Sequence, residues 1–218
     1  MKKILVIDVG GTNVKVALGG NEEIRKAPSG PEMTARQMAA AAKKLAKDWG
    51  YDAVSIGYPG MVADNGPALE PRNLAKGWVG FDYAKAFGKP VRVINDAAMQ
   101  ALGSYEGGCM LFLGLGTGLG SAMVIGGVAQ PMELAHLPYK KGGTFEDYVG
   151  KRGLDRLGKK KWAKAVEDVV KRLKYALQAD YVVIGGGNAK RLDELPDGAR
   201  LGANANAFVG GVRLWENR

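Results

Sequence analysis

The amino-acid sequence predicts an α/β protein of two similar halves, on three observations. Apolar runs of strand length alternate with amphipathic stretches of helical period. A pattern of strand, glycine turn, strand, glycine turn occurs twice, at residues 5–20 and again at 111–127. Glycine makes up 33 of the 218 residues, about twice the usual share. No collagen period is present, so these glycines mark turns and places where backbone approaches a ligand.

The elements follow in order. Ile4-Leu5-Val6-Ile7 reads as a buried strand ending at Asp8, Gly10-Gly11 turns the chain, and Val14, Val16 and Leu18 alternate as a second strand. Gly19-Gly20-Asn21 leads into a third. Thr34 is placed to cap a helix with Met38, Ala42, Leu45 and Trp49 on one face, closed by Gly50. Val54 to Tyr58 and Val91 to Ile94 return as strands, and Ala97 to Leu102 begins the next helix with Asp96 at its N-cap position. In the second half, Leu111 to Leu113 and the glycines at 114, 116 and 118 repeat the opening hairpin. A basic helix follows with the apolar stripe Trp162, Val166, Val169, Leu173 and Leu177, then a strand from Tyr181 to Ile184 and Gly185-Gly186-Gly187. The expected division is 1–106 and 107–218, hinged at Glu106 to Cys109, with the last helix a candidate to pack back on the first half. Two such halves would set the glycine hairpins face to face across a cleft.

Composition narrows the function. Hydrophobic residues make up 46% of the chain, no run approaches the roughly 18 apolar residues of a membrane span, and the apolar run after Lys2-Lys3 is too short for a signal peptide, so a cytoplasmic location is expected. One cysteine, Cys109, excludes an internal disulfide, and one histidine, His136, excludes a histidine-rich metal site. Catalysis must rest mainly on carboxylates and backbone. The net charge of +9 suits an anionic partner, and residues 140–174 carry most of it, with twelve Lys and Arg against five Asp and Glu. That segment is either the solvated face of an amphipathic helix or a track for a polyanion.

Asp8-Val9-Gly10-Gly11-Thr12, Gly114-Leu115-Gly116-Thr117-Gly118 and Val183-Ile184-Gly185-Gly186-Gly187, in that order, resemble the two phosphate motifs and the adenosine motif of the actin, sugar kinase and Hsp70 superfamily. Asn95-Asp96-Ala97, Glu133-Leu134-Ala135-His136 and Thr144-Phe145-Glu146 resemble the sugar-site segments of the ROK family, in its polyphosphate glucokinase branch. The resemblance spans nearly the whole chain. It implies actin-like (ribonuclease H-like) halves with mixed sheets around an interdomain cleft, and a kinase that phosphorylates the 6-hydroxyl of glucose from polyphosphate, ATP or both.

Each residue has a chemical reason to be there. Glycine turns let phosphates meet backbone N–H groups, and an acidic strand end such as Asp8 can hold Mg²⁺ through water. The phosphate and nucleotide candidates are therefore Asp8, Gly10, Gly11, Thr12 and Lys15 in the first half, and Gly116, Thr117, Gly118, Gly186, Gly187 and Asn188 in the second. A carboxylate at the carboxyl end of a strand can take the proton of an attacking hydroxyl, which makes Asp96 the candidate general base even if it also caps a helix. Asn95, Glu133, His136 and Glu146 supply the mixed donors and acceptors a ring of hydroxyls needs, and Gly60 and Asn73 lie in a loop on the expected sugar side.

Two departures bear on the expectation. The interval Leu137 to Gly143 holds no cysteine where many ROK members carry a zinc loop, so structural zinc is not expected. Only seven residues precede Asp8, which leaves no room for a DNA-binding module and argues against a nucleic-acid partner. A nicotinamide role for Gly185 to Gly187 is disfavoured because no G-x-G-x-x-G follows and the motif lies at the wrong end of the chain for a Rossmann opening. The competing readings are an actin-type nucleotide-binding protein without a sugar site, and a kinase for mannose or an amino sugar. A homodimer is expected.

Overall fold

The computed structural model describes residues 2–64, 66–203 and 205–216. By packing, the chain divides into two compact units, one comprising Met1–Met99 with Ala207–Arg218 and the other Gln100–Asn206.

The first unit opens with strands β1 (Ile4–Val9), β2 (Asn13–Leu18) and β3 (Ile24–Pro28), then helix α1 (Ala35–Leu45) and strand β4 (Ala53–Tyr58). A short hairpin, β5 (Val62–Ala63) with β6 (Gly66–Pro67), precedes helix α2 (Tyr83–Phe87), strand β7 (Val91–Asn95) and helix α3 (Asp96–Ser104). The sheet order is β3-β2-β1-β4-β7, with β1 antiparallel to β2 and parallel to β4. Five of the six residues of β1 are buried because both faces of the sheet are covered. Leu5, Ile7 and Val9 face α1 through Met38, Ala39 and Ala42, while Ile4 and Val6 meet Met99 and the last helix.

Thr34 caps α1 as its sequence position predicts, in a reciprocal box with Gln37. The far end differs from the expectation, because the helix stops at Ala46 instead of running to Gly50. Arg25 of β3 accounts for this. It donates to the carbonyl of Leu45 at 2.6 Å, pairs with Asp48 and lies 4.1 Å over the Trp49 ring, so Trp49 packs on an arginine outside the helix.

The second unit repeats the plan with strands β8 (Cys109–Leu115), β9 (Leu119–Ile125) and β10 (Val128–Met132), helices α4 (Phe145–Val149) and α5 (Lys151–Ala176), then β11 (Tyr181–Gly185) and β12 (Ala199–Leu201). Its order, β10-β9-β8-β11-β12, copies the first sheet strand for strand, with β8 antiparallel to β9 and parallel to β11. The predicted stripe of α5 covers this sheet, with Trp162, Val166, Val169 and Leu173 against Leu111, Leu113 and Ile184. Trp162 is fully buried and its indole N–H donates to the Val149 carbonyl at 2.8 Å. One feature of α5 departs from the periodic pattern. Gly158 adopts φ 73°, ψ 158° and interrupts the helix, so Lys151 to Leu157 form a separate first segment.

The chain then returns to the first unit in helix α6 (Asn206–Arg213). Phe208, Val212 and Trp215 pack on Ile4, Val6, Ala53 and Met99. Gly211 permits this approach, since a β-carbon there would stand 2.3 Å from Val6 Cγ1. Ser55 fastens the contact, donating to the Gly211 carbonyl at 2.6 Å and accepting from the Trp215 indole at 2.8 Å. No helix among the described residues is long and apolar enough to cross a membrane.

Candidate active site

In the first unit, the β1–β2 pairing sets Asp8 opposite Lys15. Burial pushes the Asp8 carboxyl above the usual carboxylate range, and Lys15, with Nζ 3.5 Å from Oδ2, pulls it back. A part-buried carboxylate whose pKa stays raised despite Lys15 can accept further positive charge. The turn beyond it is held from β3. Ser29 Oγ donates to the Gly10 carbonyl at 2.5 Å and Ser29 N to the Thr12 carbonyl at 2.9 Å, while Gly10 N donates to Asn13 O at 3.0 Å. Gly11 and Thr12 are left exposed. Asn73 comes to this turn, its Cβ 3.7 Å from where a Gly11 side chain would begin. Ser29 was not among the sequence candidates, because nothing in a local pattern reveals that a strand-end serine reaches back nineteen residues.

The helix that carries Asp96 is capped by its neighbour. Asn95 Oδ1 accepts from Ala98 N at 3.1 Å and Asn95 Nδ2 donates to the Gly60 carbonyl at 3.1 Å. The capping position expected at Asp96 therefore belongs to Asn95, and Asp96 is the first residue of α3, with Oδ1 accepting from Ala97 N at 2.8 Å. Helix α3 packs on β4 at Gly57, where a β-carbon would stand 2.3 Å from the Met99 Cε.

The second unit assembles its candidates around the β8–β9 turn. Gly116 N is shared between the carbonyls of Gly114 and Gly118, both at 3.1 Å. Asn188 closes the turn from the far motif, donating Nδ2 to the Gly116 carbonyl at 2.9 Å and its backbone N–H to the Leu115 carbonyl at 2.9 Å. Gly186 makes this possible at φ 84°, since a β-carbon would stand 2.5 Å from Leu115 O. Thr117 and Gly187 are exposed. Thr117 offers its carbonyl to Lys151 N at 3.1 Å, which seats the start of α5 on the turn.

Glu146 reaches the same turn. Its Oε2 accepts from Leu119 N at 3.2 Å and fills the space a Gly118 side chain would need, 2.2 Å from that β-carbon position. Glu133 precedes and His136 ends a short 3-10 turn, Leu134–His136, with His136 Nε2 3.8 Å from Glu133 Oε2 and both side chains more than half exposed. Ser121 holds this segment to β9, donating to the Met132 carbonyl at 2.7 Å and accepting from Leu134 N at 3.3 Å. The Phe145 N–H donates to the Leu137 carbonyl at 3.1 Å, so the backbone joins the residue after His136 to the residue before Glu146. Ser121 too escaped the sequence reading, although a hydroxyl inside an apolar strand is the kind of exception that points to it.

The basic residues of 140–174 are partly spoken for. Lys159 Nζ pairs with Asp193 at 2.5 Å, Lys151 with Asp155 at 2.8 Å, and Lys140 with Asp168 at 2.9 Å. Lys160, Lys164 and Lys171, with Glu167 among them, lie along the exposed side of α5 away from Trp162 and Val169.

The two sheets repeat one mixed strand order, and each opens on a glycine hairpin. The ROK family's sequence model matches residues 4–131, more than half of the chain, and the chain belongs to the ROK family. It is 28% identical over 214 residues to polyphosphate glucokinase of Mycobacterium tuberculosis (strain CDC 1551 / Oshkosh), covering 86% of this chain and 78% of that one. It is 31% identical over 173 residues to kanosamine kinase of Amycolatopsis mediterranei (strain S699), covering 68% and 56%. In fold it matches the crystal structure of inorganic polyphosphate/ATP-glucomannokinase from Arthrobacter sp. strain KM, with a TM-score of 0.82, 22% identity and full coverage of both chains.

Proposed function

We propose that this ROK sugar kinase transfers a phosphoryl group from inorganic polyphosphate, ATP or both to the 6-hydroxyl of glucose. One observation carries the reading: Glu146, a carboxylate of the sugar-site pattern, accepts from Leu119 N and lies against Gly118, at the end of the glycine turn of the phosphate pattern. This contact supports a site in which acceptor and donor meet. In the reaction, Asp96 takes the proton of the 6-hydroxyl as its oxygen attacks the terminal phosphorus. The bond from phosphorus to the bridging oxygen breaks, and its electron pair leaves with the shortened polyphosphate or ADP. Asn95, Glu133, His136 and Glu146 orient the sugar, with Gly60 and Asn73 on its loop side. The turns at Gly10–Thr12 and Gly116–Gly118 and the segment Gly186–Asn188 hold the donor. Asp8, a part-buried carboxylate beside the first glycine turn, would help hold Mg²⁺, which when bound would supply neutralisation of charge on the transferring group.

The polyphosphate glucokinase relative supports glucose and polyphosphate, and the kanosamine kinase relative supports an amino sugar as the rival acceptor. Glucose, mannose and an amino sugar, each assayed with ATP and with polyphosphate, separate these. Turnover of glucose with polyphosphate is the expected result. Preference for the amino sugar with ATP alone would replace the reading.

A further inference from the structure

The second glycine turn lies against the start of α5, which holds Lys151 and Arg152 with no acidic residue and no side-chain cap. Cations crowded there are unfavourable unless negative charge comes to them. Two carboxylates do so in part, with Arg152 Nη2 3.3 Å from Asp147 Oδ1 and 3.6 Å from Glu146 Oε1. Asp147 is committed elsewhere as well, its Oδ2 accepting from Thr144 N and Oγ1 at 3.0 and 2.9 Å. Glu146 turns its other oxygen onto Leu119 N and Gly118. The turn therefore carries a carboxylate against its backbone, with a guanidinium beside it whose side chain is 75% exposed.

Resting on the reading that donor phosphates lie on this turn and sugar hydroxyls reach Glu146, we propose that Glu146 and Arg152 form an electrostatic gate through which the acceptor sugar controls donor affinity. Without sugar, the Glu146 carboxylate faces the same turn as an incoming phosphate and opposes it. A hydroxyl that donates to Glu146 disperses that charge, and Arg152 is then shared less with the carboxylate and more with the phosphate. Donor binds tightly only once the acceptor is in place, which limits loss of phosphoryl groups to water, and the coupling is reciprocal. For charges at this spacing near a protein surface, the expected change in donor affinity is about fivefold for each group.

The test is equilibrium binding of tripolyphosphate to the full chain, with and without saturating glucose, in the parent, Glu146→Gln and Arg152→Ala. In the parent, glucose is expected to tighten binding about fivefold. Glu146→Gln keeps an oxygen to accept the Leu119 N–H and loses the charge. It should bind tripolyphosphate about fivefold more tightly than the parent without sugar, and should stop responding to glucose. Arg152→Ala should bind about fivefold more weakly, with partial recovery in Arg152→Lys. A Glu146→Gln protein that binds no tighter than the parent overturns the gate. If the parent still phosphorylates glucose, the kinase reading survives that result; a parent that phosphorylates no hexose removes both.

Discussion

Asp96 is the residue on which turnover should depend most. Because Asn95 does the capping, Asp96→Asn is expected to fold normally and keep its sugar affinity while kcat falls roughly 10²-fold or more. Steady-state kinetics with a glucose titration check this, and near-parental turnover would remove the assignment. Glu133→Gln and His136→Ala should each weaken glucose binding by about 1–3 kcal/mol, the cost of a hydrogen bond desolvated with the sugar. Their thermal midpoints should hold, since both side chains are more than half exposed in the free protein. Unchanged glucose affinity in both would move the clamp elsewhere. At this scale the candidates could be picked from the sequence because the proposed chemistry calls for particular residue types: a carboxylate after a strand, glycines at a turn, a lone histidine three residues from a glutamate. The residues that hold those groups were not. Ser29, Ser121 and the capping amide of Asn95 act through contacts that the fold alone creates.

Among elements, the hairpins β1–β2 and β8–β9 were plain in the sequence, each a continuous apolar run meeting glycine and then a second run. Strand β12 was not, since three residues at a sheet edge leave no period to read. The break in α5 also escaped, because a single glycine inside a helical stripe is tolerated at about 1 kcal/mol and need not break it. Glycines that do have a fixed role can be told apart by substitution. Gly186→Ala forces an L side chain into a left-handed backbone and against the Leu115 carbonyl, so a loss of at least about 2 kcal/mol is expected. Gly187→Ala meets open space at its side chain and should cost much less. Denaturant midpoints of the two variants decide it. The segment joining the 3-10 turn to α4 depends on Asp168, which accepts from Tyr139 Oη at 2.5 Å and is flanked by Lys140 and Arg172 at 2.9 and 3.1 Å. The Tyr139 hydrogen bond, then the two cations, hold its carboxyl down at about 2. A depressed carboxyl stabilises the fold above its unfolded value near 3.9 and stops doing so as pH falls through the folded one. Asp168→Asn should therefore lose about 1 kcal/mol at pH 7, roughly 2–4 °C in Tm. That deficit should shrink between about pH 4 and pH 2. A deficit constant across that range would show that the charge is not what matters.

For the whole molecule, the uneven distribution of positive charge bears on the donor. Lys160, Lys164 and Lys171 lie on one exposed stripe of α5, whereas Lys159 is held by Asp193. Replacing the three stripe lysines with Ala should raise KM for polyphosphate more than for ATP and flatten its dependence on salt, by the counterion release that governs other polyanions. Equal effects on both donors would leave the stripe as solvated surface. The path of the chain has a separate consequence, for the order in which the protein can be made. The first unit is begun at residue 4 but completed only by Phe208, Val212 and Trp215, which cover Ile4, Val6 and Met99. On a ribosome, the half that emerges first must wait with part of an apolar sheet face uncovered, beyond what Met99 shields, while the whole of the second unit is synthesised. The arrival of residues 207–215 is thus the step that takes the nascent chain past an aggregation-prone stage.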